Sequence, residues 1–335
     1  MSLTAIILAA GKSTRMKSRR PKVLHEVCGR PMLDYILNAC YEVGVDRVLL
    51  VVGFEKEQVI AHYGDDKRIT FVEQAERLGT GHAARMCEAE LKKNPSSDVL
   101  ILVGDVPLVR AEVLKTLRDA HHAEHAAASM ATAVVSDPHG YGRIIREASG
   151  EFVQIVEEAD ASAEQKKITE VFPSFYCVKT SELLHVLPLL KNENKQREYY
   201  LTDIFSILRG EKKTVLAVQA ATEEDVIAPN SREQLAYADS VMQERIQHVL
   251  RDEGVTIVSP LQTYVESGVQ IGRDTCVYPF TFIGRDSSVG ADCTIGPYAC
   301  LPRESIVPEG ATVAGNVSPQ TAMLEIGNRQ SAIGN

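Results

Sequence analysis

The chain has 335 residues, 44% apolar and 24% charged, enough for one large domain plus a smaller one with a buried core. A formal net charge of -9 argues against a nucleic-acid-binding surface, so any phosphate ligand must be met by locally concentrated positive charge. The apolar stretch 3–10 is too short to span a bilayer and lacks a basic region before it, and the seven cysteines are scattered and never spaced C-x-x-C. These features lead us to expect a cytoplasmic protein with reduced thiols and no zinc site.

Taken in order, residues 5–8 read as a buried strand, 32–43 as a helix, 47–52 as a strand and 79–91 as a helix. Residues 98–103 read as a strand, 111–121 as a helix and 129–135 as a further strand. Strands alternating with helices imply a mostly parallel sheet covered on both faces, with ligands outside the carboxyl ends of its strands. Both 9–11 and 104–105 follow directly on such strands. A helix over 232–251 carries one apolar face (Leu235, Ala238, Met242, Ile246 and Val249). Ser231 and Gln234 suit a capping box at its start, and Gly254 is placed to end it. The expected domains are a nucleotidyltransferase domain over 1–229, a connector helix over 230–253 and a β-helix over 254–335.

That tail has its own period. Val265, Ile271, Val277, Ile283, Val289, Ile295, Leu301, Val307 and Val313 fall six residues apart. Mostly small residues stand two places before each, suited to tight corners. A period of this kind marks a β-helix whose aliphatic side chains stack inward. The pattern resembles the left-handed hexapeptide β-helix, with about three coils.

The densest chemistry lies at the N-terminus. Leu8, Ala9, Ala10 and Gly11 form a small-residue loop after a strand, followed by Lys12, Arg15, Lys17, Arg19, Arg20 and Lys22. Small residues let backbone N–H groups approach phosphate oxygens closely, and the cations surround them. A Walker loop is excluded, because position 6 is Ile6 where that motif needs glycine.

The string L-A-A-G-x-x-T-R-M…P-K-V-L resembles the signature of the sugar-nucleotide pyrophosphorylase family. Within it the chain is most similar to the bifunctional N-acetylglucosamine-1-phosphate uridyltransferase/glucosamine-1-phosphate acetyltransferase members. Supporting segments follow in that family's order: Glu73-Gln74, 78–83, 104–108, 140–144, 155–157, 198–203 and 230–232. The resemblance implies a Rossmann-like nucleotide-diphospho-sugar transferase domain ahead of the β-helix. It also implies transfer of UMP from UTP to a sugar 1-phosphate with release of pyrophosphate, making a cell-wall precursor.

Residue by residue, the resemblance gives Leu8, Ala9, Ala10 and Gly11 backbone contacts to the nucleotide, and gives Gln74, Gly79 and Thr80 the uracil. Arg15 and Lys22 would hold phosphates and offset charge on the transferred group and on leaving pyrophosphate. Asp105 and Asn230 match metal ligands suited to Mg2+, which prefers hard oxygen donors. Gly140 and Glu157 match the residues that contact the amino sugar, and Thr202, in the 198–203 segment, is a further substrate-binding candidate.

Two departures stand out. Where the family places an asparagine that binds the sugar, this chain has Phe172. Either the sugar differs from N-acetylglucosamine, or the ring stacks on it and recognition shifts elsewhere. N-acetylglucosamine 1-phosphate is the first expectation, with glucose 1-phosphate or another hexosamine 1-phosphate behind it. The β-helix signal ends near Val313 and the last histidine is His248, so no acetyltransferase activity is expected. The coils would instead cap the catalytic domain or mediate self-association, as in the trimers common in this family, with 318–335 as a polar cap. Two alternatives stay open: the same chemistry with dTTP, and a catalytically silent sugar-nucleotide sensor or scaffold.

Overall fold

The computed structural model describes residues 2–12 and 14–315. The expected polar cap over 318–335 lies outside them. The described residues fall into two compact units, one within 2–25 and 32–232, the other within 26–31 and 233–315.

The first unit is built on a seven-stranded sheet in the order Val215–Val218, Ala128–Ala131, Tyr176–Lys179, Asp98–Val103, Leu3–Leu8, Arg47–Val52, Ile69–Glu73. Only Tyr176–Lys179 runs antiparallel to its neighbours. Alternation along the strands explains the two-sided cover. Ala5 and Ile7 join one apolar core with helices Met32–Glu42 and Ala111–Ala123, whereas Ile6 joins the other with Thr80–Met86 and Asp203–Gly210. Leu3–Leu8 is central, with Arg47–Val52 on one side and Asp98–Val103 on the other. The chain therefore reverses its direction of strand addition at this point, which opens a crevice beyond the strand ends.

Local detail departs from expectation in two places. The helix expected over 79–91 is two helices, Thr80–Met86 and Glu88–Lys93, joined at Cys87. The strand expected over 129–135 is shared between sheets: Ala128–Ala131 stays in the main sheet and Ala133–Val134 pairs with Glu170–Phe172 in a four-stranded one. Thr132 sits at the crossing, donating its N–H to Val218 O at 2.7 Å and its hydroxyl to Glu170 at 2.7 Å.

In the second unit, helix Arg232–Asp252 ends in a Schellman turn. Gly254 (φ +92°) donates to Arg251 O and Val255 to Leu250 O, each at 3.0 Å. Beyond it the chain winds through three parallel ladders. All nine aliphatic positions of the hexapeptide period are buried. The left-handed backbone of each corner falls one residue earlier than the small position, at Asp274, Phe280, Asp286, Asp292, Tyr298 and Glu304. The small residues mostly point inward instead, where Thr275, Thr281 and Ser287 hydroxyls cap corner carbonyls at 2.7–2.8 Å. Gly272, Gly284 and Gly290 are fixed by stacking, since a Cβ at each would lie 2.4–2.5 Å from a backbone nitrogen of the next coil. The hairpin Glu26–Val27/Arg30–Pro31 belongs to this unit: Cys28 N–H donates to Asp239 at 2.7 Å, and Arg303 pairs with both Glu26 and Glu266. Among the described residues no helix is long and apolar enough to cross a membrane.

Candidate active site

A cleft of about 450 Å³ opens at the carboxyl ends of the central strands, lined by Leu8–Gly11, Arg15, Lys22, Gln74, Gly79, Thr80, Asp105 and Asn230 among others. The first of these continue directly from Leu3–Leu8. Ala9 N–H donates to Val51 O at 2.9 Å and Gly104 N–H to Leu8 O at 2.8 Å, so both loops leave the sheet in register. Met16, 1% exposed, anchors the loop that carries Arg15.

Lys22 opens a short 3-10 turn after Pro21, whose fixed φ sets the entry, with Val23 and Leu24 buried below. Its ammonium pairs with the Asp105 carboxylate and donates to Asn230 Oδ1 at 2.8 Å. The Asn230 amide is oriented by its own Nδ2, which donates to Ala228 O at 3.0 Å. Three segments distant in sequence therefore meet at one point. Among the described residues no cluster of three His, Cys, Asp or Glu side chains forms a ready-made cation site. One carboxylate and one amide oxygen still fit Mg2+, which takes few protein ligands and completes its shell with water and phosphate oxygens.

The opposite wall depends on close backbone approach. Gly79 (φ +106°, ψ 176°) and Gly81 lie against the 198–201 segment, and a Cβ on Gly79 would come within 2.6 Å of Tyr199 O. Tyr199 N–H donates to Leu78 O at 2.8 Å, Gly81 N–H to Tyr199 O at 2.7 Å, and Leu201 N–H to the Thr80 hydroxyl at 3.1 Å. Gln74, 5% exposed, donates its amide to Gly79 O at 3.1 Å and also meets His82 Nδ1 at 3.1 Å. That pins the amide nitrogen and leaves the oxygen as the group available to a base.

Lys12, Arg77 and Glu198 also line this cleft. Arg77 had no signal beyond being a basic residue two places before Gly79. Lys12 lies over the Phe54 ring, 5.2 Å from its centroid. Four cations (Lys12, Arg15, Lys22 and Arg77) thus face the cleft against two carboxylates, Asp105 and Glu198. An acidic chain has concentrated its positive charge here.

Glu157 and Thr202 line a second cavity of about 280 Å³, with Asp160, Lys191, Tyr200 and Asp203. The Thr202 hydroxyl donates to Glu157 at 2.9 Å, and Tyr200 donates to Asp160 at 3.1 Å. Burial raises the Glu157 carboxyl above its ordinary range, and neighbouring carboxylates add to the effect. The last two sugar-site candidates join neither cavity. Gly140 is exposed, and its N–H donates to Glu158 at 3.3 Å. Phe172 is 3% exposed and packs edge-on against Tyr176 and Phe205, with ring centroids 4.8 and 6.0 Å away. A ring packed in the core presents no face to a sugar, so recognition of any sugar would fall to other groups.

Comparison with known proteins places these features in a family. The model of the MobA-like NTP transferase domain matches residues 5–180. The chain is 41% identical to the bifunctional protein GlmU of Geobacillus sp. strain WCH70, covering 97% of this chain and 69% of that one. It is 42% identical to the Geotalea daltonii bifunctional protein GlmU (89% of this chain, 65% of that one) and 40% identical to that of Clostridioides difficile (88% and 63%). The chain thus spans about two thirds of the length of these relatives. Among solved structures it is similar to one described as a glucose-1-phosphate thymidylyltransferase of Bacillus anthracis, with a TM-score of 0.59 and 15% identity. That match covers 72% of this chain and 95% of the other, and it concerns the fold.

Proposed function

Since the chain belongs to the MobA-like NTP transferase family, and within it to the GlmU-like nucleotidyltransferases, we propose that it transfers UMP from UTP to N-acetylglucosamine 1-phosphate and releases pyrophosphate. The observation that carries this reading is the meeting of Lys22, Asp105 and Asn230 at the mouth of a cation-lined cleft. A binding module has little use for such an arrangement, which weighs against a silent sensor.

In this reading the backbone of Leu8–Gly11 and the Gln74 amide oxygen hold the nucleotide. Arg15 and Lys22, with Lys12 and Arg77, hold its phosphates. An oxygen of the sugar 1-phosphate attacks the α-phosphorus in line, the bond from that phosphorus to the bridging oxygen breaks, and pyrophosphate leaves with the electron pair. Lys22 and Arg15 offset the negative charge that grows on the departing oxygens, and no covalent intermediate on the protein is required. Asp105 and Asn230 would hold Mg2+, which supplies further charge neutralisation at the phosphates. Glu157 and Thr202 would receive the sugar hydroxyls, and Gly140 would add a backbone contact.

The proposal extends to three further points. The coils over 254–315 contain no histidine, and we assign them no acetyl transfer. Self-association through those coils, as a trimer, and a cytoplasmic location complete the reading.

The test is product analysis by mass spectrometry with Mg2+, UTP or dTTP, and a panel of sugar 1-phosphates. UDP-N-acetylglucosamine as the main product supports the proposal. A product from another sugar, or only from dTTP, overturns the stated substrate, and no product with any pair favours the sensor.

A further inference from the structure

The oxygens assigned to the divalent cation are the ones that hold the Lys22 ammonium. Nζ of Lys22 is paired with Asp105 Oδ2 and lies 2.8 Å from Asn230 Oδ1. The Lys22 side chain is 9% exposed and that of Asp105 26%, so the pairing is made largely out of bulk water. Asn230 Oδ1 is turned toward the ammonium by the Nδ2 bond to Ala228 O.

Magnesium binds oxygen at about 2.0–2.1 Å and demands tight octahedral geometry. An ammonium at hydrogen-bond distance from the same two oxygens leaves no room for it, and the repulsion between the two cations across a partly dry gap forbids joint occupancy. One must leave. Lysine suits that role, being a compact charge on a flexible four-carbon stem.

We propose that Lys22 is an internal stand-in for the divalent cation, holding Asp105 and Asn230 together and releasing them when the cation binds. This rests on the reading of Asp105 and Asn230 as metal donors. Release frees the ammonium to meet the nucleotide's phosphates, so one movement both opens the cation site and delivers the phosphate-binding lysine. Two consequences follow. The cation alone binds weakly, because it must displace an existing partner. Nucleotide and cation favour each other's binding, because phosphate gives the displaced ammonium a new partner.

The test uses Mn2+ alone as the probe, with free Mn2+ measured by electron paramagnetic resonance in the absence of nucleotide. Lys22→Met keeps the stem and removes the charge, and is expected to bind Mn2+ at least about tenfold tighter than the wild-type protein. Lys22→Gln should move the same way. A wild-type measurement needs no variant: the rate of Lys22 acylation, mapped by mass spectrometry, should rise as Mn2+ saturates. If Asp105→Asn weakens Mn2+ binding while Lys22→Met and Lys22→Gln leave it unchanged or weaker, the stand-in role is overturned and the metal donors stand. If Asp105→Asn leaves Mn2+ binding unchanged, the metal reading itself has failed. A Lys22 acylation rate that stays flat or falls with Mn2+ also overturns the proposal.

Discussion

Replacing Gly79 with alanine attacks the wall of the cleft at its tightest point. At φ +106° and ψ 176° the backbone occupies a region essentially reserved for glycine, where another residue costs roughly 1–3 kcal/mol. The new Cβ would also lie 2.6 Å from Tyr199 O and 2.9 Å from both Tyr199 N and Glu198 Cβ. Because two of those atoms are backbone, the 198–201 segment must retreat. Retreat loosens the Tyr199–Leu78 and Gly81–Tyr199 hydrogen bonds, each with a net contribution of about 1 kcal/mol. Together these terms predict a loss of roughly 3–5 kcal/mol. Since Gly79 O is the partner of Gln74, the KM for UTP should rise about tenfold or more, with a smaller change for the sugar 1-phosphate. Urea unfolding followed by circular dichroism gives the first quantity and initial rates give the second. Gly210→Ala is the control: it has open space around its Cβ position and sits in a helix, so it should leave stability unchanged or improve it by up to about 1 kcal/mol. A Gly79→Ala protein matching the wild type in both stability and KM would refute the reasoning.

Other outcomes follow from the same geometry. Burial, with the Arg232 and Arg20 charges, lowers His25 from 6.5 to about 4. Its neutral form is therefore favoured in the fold, a contribution complete above pH 6.5 and lost as pH falls toward 4. Unfolding should show wild-type stability dropping by roughly 3 kcal/mol more than His25→Gln over that window; parallel curves would rule this out. Glu157 is shifted the other way, so its ionised form is disfavoured in the fold at neutral pH. Glu157→Gln should melt higher than wild type at pH 7.5, with the advantage shrinking as pH falls toward 4.5 and gone below it, while its KM for the sugar 1-phosphate rises. A lower melting point at pH 7.5 would contradict the first part. Ile283→Ala, at a fully buried coil position, should cost about 2–5 kcal/mol in chemical unfolding; a loss under 1 kcal/mol would mean the coil core is not packed as described.

What could be read from the chain followed the range of the interactions involved. The hexapeptide period is local and repetitive, and every aliphatic position it marks is buried. The central strands were equally plain, because near-continuous apolar runs such as 47–52 and 98–103 have little choice but burial on two faces. The cleft was legible in part: Leu8–Gly11, Lys22 and Asp105 stand immediately beyond strands or in a marked charge cluster, whereas Arg77 sits in an unremarkable loop. Phe172 shows the opposite failure. Its position in a motif pointed to the sugar, but the partners that fix its ring, Tyr176 and Phe205, lie four and thirty-three residues away in sequence. The hairpin at 26–31 could not be assigned to the second unit from its own residues either. What ties it there are Asp239, Glu266 and Arg303, more than two hundred residues downstream.

The most direct test of the central claim is pyrophosphate release by purified protein given UTP and N-acetylglucosamine 1-phosphate, compared with Asp105→Asn. Steady release that needs Mg2+ and falls by about a thousandfold or more in the variant is the predicted result. Release at the wild-type rate from Asp105→Asn, or none from the wild-type protein while UTP still binds, would contradict it.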